Sequence, residues 1–318
     1  MIEVRDVSKR FGNTVALDQV SFSVQKGRIL GFLGPNGAGK STTMKIITTF
    51  LAADAGQVTV GGIDVLEQPL AVRRRIGYLP ENVPLYTDMN VDEYLTFVGR
   101  ARGLDGARLA ERLEWCVESC GLRSEYKKRI QDLSKGFKQR TCLAQALIHD
   151  PDILILDEPT SGLDPLQIIS IRELIASLAG EKTIVFSTHI LQEVGPVTER
   201  VVIINEGRII ADGHIASLTE QAMGENRVYV TVRREQAEAE RALREIASLS
   251  GLRALASEDP GASRFELRAP FGTDLAGDVA RLARAHAWDL GELHESRYSL
   301  EDTFIALTRA SRSGQEVA

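Results

Sequence analysis

The stretch Gly34-Pro35-Asn36-Gly37-Ala38-Gly39-Lys40-Ser41-Thr42 holds the residue types needed to grip a chain of phosphates. Its glycines let the backbone turn N–H groups inward around anionic oxygens, and a helix begun at its end adds the positive pole of its dipole. At this spacing Lys40 reaches the β- and γ-phosphates of a nucleotide, and the Ser41 hydroxyl is offered to Mg²⁺. The apolar run Ile29–Leu33 before it reads as a strand, and Thr42–Phe50 after it is helix-prone.

Binding is not yet chemistry, and the acids that could supply it lie far downstream. Ile153-Leu154-Ile155-Leu156 is apolar at every position, as a strand buried on both faces is, and it ends in Asp157-Glu158. Standing alone the two acids would read as the solvated end of a strand. Beside a phosphate loop they become a reaction pair, Asp157 to hold Mg²⁺ and Glu158 to polarise the attacking water. The strand expected at Thr183–Ser187 leads through Thr188 to His189, the histidine placed where a strand end meets this site. Glu81 likewise follows the buried strand expected at Ile76–Pro80.

Ser134 is a natural N-cap for the helix after it, and a capped helix start beside Gly136 is a second anion site. Within one domain that site has no phosphate to hold, because the loop at Gly34 already wraps the nucleotide. Phe11 falls at the tip of a hairpin, where its face can stack on an adenine ring or fold back on the sheet.

These groups need elements to position them. Residues 2–24 alternate with period two, which predicts a small antiparallel hairpin sheet, and Gly56–Val65 adds a strand turning at Gly61-Gly62. From about 85 to 150 the alternation stops and helical spacing takes over, predicting a helical insert between two strands of the core. With 318 residues the chain has room for a domain of about 200 and a smaller one. A net charge of −6 with 43% hydrophobic residues suits a globular protein without a basic face for nucleic acid. No apolar run approaches the roughly 20 residues of a membrane helix. Met1–Asp6 enters strand pattern directly, without a secretion signal, so a cytosolic location is expected. Cys116, Cys120 and Cys142 read as core thiols.

Taken in order, these motifs resemble the nucleotide-binding subunits of ATP-binding-cassette (ABC) transporters over roughly residues 1–220. The resemblance implies an α/β fold, with a P-loop NTPase core, an N-terminal antiparallel β subdomain and the helical insert. Gly34–Ser41 looks like the Walker A loop, Asp157 and Glu158 the Walker B aspartate and catalytic glutamate, and Leu133–Phe137 the signature motif. Ser161–Asp164 looks like the D-loop, His189 the switch histidine and Phe11 the adenine-stacking aromatic. ATP and Mg²⁺ are the implied ligands, with Ser134, Lys135, Gly136 and Asp164 added to the nucleotide contacts and Ser41, Glu81 and Asp157 to the metal. The implied assembly is a head-to-tail homodimer, in which the signature helix of one chain closes on the γ-phosphate held by the other. A separately encoded permease would hold it peripherally on the inner face of the membrane. Glu81 stands where a glutamine is usual and adds charge beside the γ-phosphate, while Lys135 takes the first glycine position of the signature. The wording Leu-Ser-Lys-Gly-Phe and Tyr-Leu-Pro-Glu-Asn resembles exporter-type subunits, including those associated with gliding motility. The alternative is a soluble ABC ATPase of a nucleic-acid or mechanical process. Repair relatives carry coiled-coil or zinc insertions and translation relatives two cassettes, and neither feature is present.

Beyond a connecting helix and turn at 214–224, a second domain is expected over 225–310 with a flexible tail at 311–318. Strands at Arg227–Arg233, Leu252–Ala256, Arg264–Arg268 and Asp289–Glu295, with helices at Gln236–Leu249 and Asp274–Ala287, give the order β-α-β-β-α-β of a ferredoxin-like sandwich. Ser299 and Asp302 have capping-box spacing for a last helix. With no catalytic motif, this domain reads as a packing or dimer-supporting appendage, or as a regulatory or partner-docking one.

Overall fold

A computed structural model of the chain describes residues 1–312 apart from Val83, Glu258 and Arg297. Two compact units divide between Ile215 and Ala216.

The first unit opens with β1 (Ile2–Phe11) and β2 (Thr14–Val24), an antiparallel hairpin closed by the pair Phe11↔Thr14. Every residue of β3 (Ile29–Leu33) is buried. α1 (Lys40–Ile47) begins at Lys40 rather than Thr42, because Gly39 at φ 110 turns the chain into the helix. It ends before Phe50, since the Thr48 hydroxyl bonds back to the Met44 carbonyl and Thr49 adopts φ 63. β4 (Ala55–Val60) pairs with β1 and turns into β5 (Ile63–Asp64). A helix not foreseen, α2 (Pro69–Arg75), has its proline in the first turn, where no N–H is needed, and leads into β6 (Ile76–Leu79).

The insert is α3 (Val91–Ala101), α4 (Gly106–Ser119) and α5 (Lys135–Leu147). Asn90 and Glu93 form a capping box at α3, and Tyr94 bonds Gln145 of α5. The three cysteines are buried on this insert, and burial pushes the Cys116 and Cys142 thiols up to about 12. The unit continues with β7 (Ile153–Asp157), α6 (Pro165–Ser177), β8 (Thr183–Thr188), β9 (Arg200–Asn205) and β10 (Arg208–His214).

A four-stranded antiparallel sheet, β2-β1-β4-β5, lies with a six-stranded sheet ordered β10-β9-β3-β8-β7-β6. In the larger sheet β9, β3, β8, β7 and β6 are parallel and β10 runs antiparallel to β9. One core joins the two sheets, with Phe22 and Phe32 5.1 Å apart between ring centroids and Met44, Ile46 and Ile47 of α1 buried in the same cluster.

The second unit comprises α7 (Ile215–Met223) from its second residue on, β11 (Glu225–Val232), α8 (Gln236–Leu243), β12 (Gly251–Leu255), β13 (Ser263–Pro270), α9 (Leu275–Ala285), β14 (Leu290–Ser296) and α10 (Leu300–Arg312). Its antiparallel sheet is ordered β12-β13-β11-β14. Val228, Val230, Phe265 and Leu267 pack against Ala239 and Leu243 of α8 and Leu275 and Val279 of α9. α8 stops well before Leu249, where the backbone tightens into turns from Glu245 to Ala242 and from Ile246 to Leu243 that carry Ile246 into this core. Ser299 and Asp302 bond reciprocally at the start of α10. The expected tail begins inside α10, and residues 313–318 lie outside the described residues.

Candidate nucleotide site

Sheet register gathers the predicted residues at one edge. Leu33 is paired with Thr188, Asp157 with Ser187 and Leu79 with Leu156. The chain therefore leaves β3 into the phosphate loop, β7 into Glu158, β8 into His189 and β6 toward Glu81, all at the carboxyl ends of parallel strands. That edge is where open α/β sheets bind ligands.

The loop is shaped by contacts that only glycine permits. A Cβ on Gly34 would strike the Ile204 carbonyl, and one on Gly39 would come within 2.7 Å of the Ala16 carbonyl. Gly39 offers α1 no side-chain cap, so N–H groups at the helix start are left to a ligand. Lys40 is 6% exposed and donates to the carbonyls of Gly34 at 2.8 Å and Pro35 at 3.2 Å. A cavity of about 240 Å³ is lined by Asn36, Gly37 and Gly39–Thr42 together with Glu81 and Glu158.

Glu158 is buried and held in the left-handed region at φ 51. A non-glycine residue there costs on the order of 1–3 kcal/mol and persists only where its surroundings fix it. Its N–H donates to both the hydroxyl of Ser187 at 3.1 Å and the carbonyl of Ser187 at 3.2 Å. The Oε2 atom lies 2.7 Å from His189 Nδ1, within hydrogen-bond distance. Oε1 is 3.3 Å from Lys40 Nζ, an ion pair by distance, yet it makes no hydrogen bond, while the same ammonium donates to the two loop carbonyls. Asp157 is buried and accepts from the Ser187 hydroxyl at 2.5 Å.

Ser134, Lys135 and Gly136 do not line this cavity. Ser134 caps α5, accepting from Phe137 N at 3.4 Å, Lys135 lies over Gly162, and Gly136 is crowded by Gln167. Asp164 caps α6 through Gln167 N at 3.0 Å. Phe11, 50% exposed at the hairpin tip, has Lys9 Nζ 5.8 Å from its ring centroid.

Sequence reasoning missed the groups that hold these in place. Ser187 bridges the two acids, and Gln139 of α5 donates to the Pro159 carbonyl at 3.0 Å, tying the insert to the chain just past Glu158. Beside them, burial, and then the nearby charge of Asp157, raises the Tyr78 hydroxyl, which is buried without a hydrogen-bond partner. A serine or glutamine on a buried apolar element signals such a role only when its neighbours across the sheet are known.

An ABC transporter family model matches residues 17–161. The ABC transporter ATP-binding protein NatA of Bacillus subtilis (strain 168) is 39% identical over 236 residues, covering 72% of this chain and 96% of that protein. The linearmycin resistance ATP-binding protein LnrL of the same organism is 30% identical over 309 residues, 97% of this chain and 98% of that one. A solved dimeric structure of a bacterial ABC transporter cassette matches with a TM-score of 0.61 at 25% identity, covering 67% of this chain and 98% of that chain. With this geometry and relatives matched over nearly their whole length, the chain belongs to the ATP-binding proteins of ABC transporters, and it is an ATPase.

Proposed function

We propose that the chain hydrolyses ATP with Glu158 as general base, in a head-to-tail homodimer that drives a separately encoded exporter permease. The observation that carries this reading is the Glu158 carboxylate, fixed on one oxygen by His189 and left without a hydrogen bond on the other. When a triphosphate draws the Lys40 ammonium to its own oxygens, Oε1 is freed to take a proton from water. His189 bonds Glu158 through Nδ1, which leaves Nε2 available to meet a γ-phosphate. Ser41, Asp157 and Glu81 offer the hard oxygen donors that Mg²⁺ takes together with phosphates, and would hold it. Bound there, the ion would neutralise charge on the phosphates.

The dimer is supported by the lining of the cavity, which takes the phosphate loop with Glu81 and Glu158 and none of Ser134–Gly136. Exposed apolar side chains beside Asp164 and His189, namely Leu166 (80% exposed), Ile169 and Ile190, support a partner surface there. Exposed Tyr86 and Phe97, clustered with Tyr94 on the insert, support a permease contact. No helix among the described residues is long and apolar enough to cross a membrane, which suits a subunit held peripherally on the inner face by that permease. Export is supported by the match to a resistance protein along 98% of its length, and by the signature wording shared with exporter and gliding-motility subunits. The element order and antiparallel sheet of the second unit support a ferredoxin-like sandwich, which we assign to supporting the dimer.

Glu158→Gln tests the base. ATP binding should persist while turnover falls at least about 100-fold and the closed dimer accumulates, read by gel filtration with ATP. Turnover near the wild-type rate would overturn the assignment.

A further inference from the structure

We infer that Glu193, which belongs to no motif above, is a positioning residue that holds His189 on Glu158; the inference rests on the hydrolytic reading of that pair. Glu193 lies on the short 3-10 turn Leu191–Glu193 and is 4% exposed. A carboxylate that deep persists only with hydrogen bonds to repay its lost hydration. Both of its observed bonds fall on one oxygen: Oε2 accepts from the hydroxyls of Thr160 at 2.6 Å and Thr188 at 2.9 Å.

The two threonines are the reason for the assignment. Thr160 follows Glu158 and Pro159 on the chain leaving β7, and Thr188 is the residue before His189 at the end of β8. One carboxylate oxygen thus clamps the strand end that presents the acid to the strand end that presents the histidine. Thr188 Oγ1 also accepts from Ile190 N at 3.0 Å, which fixes the turn through His189 itself. The His189 side chain is 41% exposed, so packing alone does not orient it. Its 2.7 Å bond to Glu158 depends on where its backbone is held, and the clamp holds it. Neither hydrogen bond of the Glu193 side chain reaches the phosphate loop or Lys40, so its effect belongs on turnover and not on nucleotide affinity.

The free oxygen supplies the conservative variant. Because Oε1 of Glu193 is buried without a partner, an amide group can replace it while the remaining oxygen accepts from both threonines. In the full-length protein, Glu193→Ala should lower kcat about ten-fold or more and leave the KM for ATP within about two-fold. Glu193→Gln should recover most of that loss. In a His189→Ala background, Glu193→Ala should cost nothing further, since the group it positions is gone. Thr160→Val, which deletes the one bond that hydroxyl makes, to Glu193, at nearly constant shape, should repeat the kcat loss and covers the case in which Glu193→Ala does not fold. Additive losses in the double variant, or a lowered Tm with kcat unchanged in these variants, would overturn the inference. Glu158→Gln is measured alongside. If it is inactive while the Glu193 variants turn over normally, only the clamp is wrong; if it turns over normally, the reading of the pair falls and the clamp with it.

Discussion

α1 and α5 both start near glycines at the reacting end of the first unit, and their starts are finished in opposite ways. Gly39 gives α1 no side-chain cap, whereas Ser134 caps α5 with its own hydroxyl. Lys40 is buried and committed to carbonyls inside its own loop, while Ser134 and Lys135 are exposed. The first start lines the cavity together with Glu81 and Glu158. The second lies outside that cavity, with Gly136 crowded from within by Gln167, and in the proposed dimer it meets a phosphate carried by another chain. Equal helix dipoles therefore sit in unequal surroundings, and on the proposed reading enclosure decides which start binds unaided.

The largest expected effect separates the two starts within one chain. Lys40→Ala should weaken ATP binding by about 3 kcal/mol, more than 100-fold, because it removes a desolvated cation from the phosphates. Ser134→Arg should leave binding by the dilute chain within about three-fold and stop turnover, since an arginine obstructs only the closed dimer. Fluorescent-nucleotide titration below the dimerisation concentration reads both. If Ser134→Arg weakens binding as much as Lys40→Ala, both starts serve one site and the contrast is lost.

Mixing those two inactive proteins gives a smaller and sharper effect. Half of randomly exchanged dimers are mixed, and in each of them one site collects both lesions while the other has an intact Lys40 and an intact Ser134. Roughly a quarter of the wild-type sites should return. Wild type mixed with the double variant places one lesion in each site of a mixed dimer and should gain nothing beyond its wild-type homodimers. ATP-dependent dimerisation is scored beside turnover. If mixed dimers form and regain neither, α5 does not complete its partner's site.

The contrast also marks what the sequence could tell. Gly34–Ser41, Asp157-Glu158 and the Ser134 cap were legible because each is a local pattern, set by turn chemistry, strand burial or helix capping. Strand pairing made the rest legible only in part. That β6 and β8 flank β7, bringing Glu81 and His189 to Glu158, follows from the order β3-β8-β7-β6, which no local pattern fixes. Ser187, Gln139 and Glu193 were illegible for the same reason, since each has a partner 20 or more residues away in the chain, and the nearer bond of Glu193 to Thr188 gains its meaning only with Thr160. The early stop of α8 was missed because its continuation is apolar at helical spacing, and tertiary burial of Ile246 overrides that pattern.

The smallest expected effect asks whether Ser134 is more than a cap. Its bond to Phe137 N is long, 3.4 Å, and exposed, so Ser134→Ala should cost about 0.5 kcal/mol, the low end for a lost cap. For a unit of this size that lowers Tm by about 1–2 °C. Ser134→Asp keeps a capping oxygen and places a negative charge at the positive end of α5, which adds about 0.3–1 kcal/mol of stability. Tm should then match or slightly exceed wild type. Turnover should move the other way: the aspartate faces the γ-phosphate of the partner with like charge and stops closure, while the alanine, merely shorter, retains part of the activity. Calorimetry and steady-state hydrolysis on the same preparations read the two quantities. Turnover that rises and falls with Tm across the three proteins would mean that Ser134 only starts a helix, and the two helix starts would then differ in enclosure without differing in the phosphate each one serves.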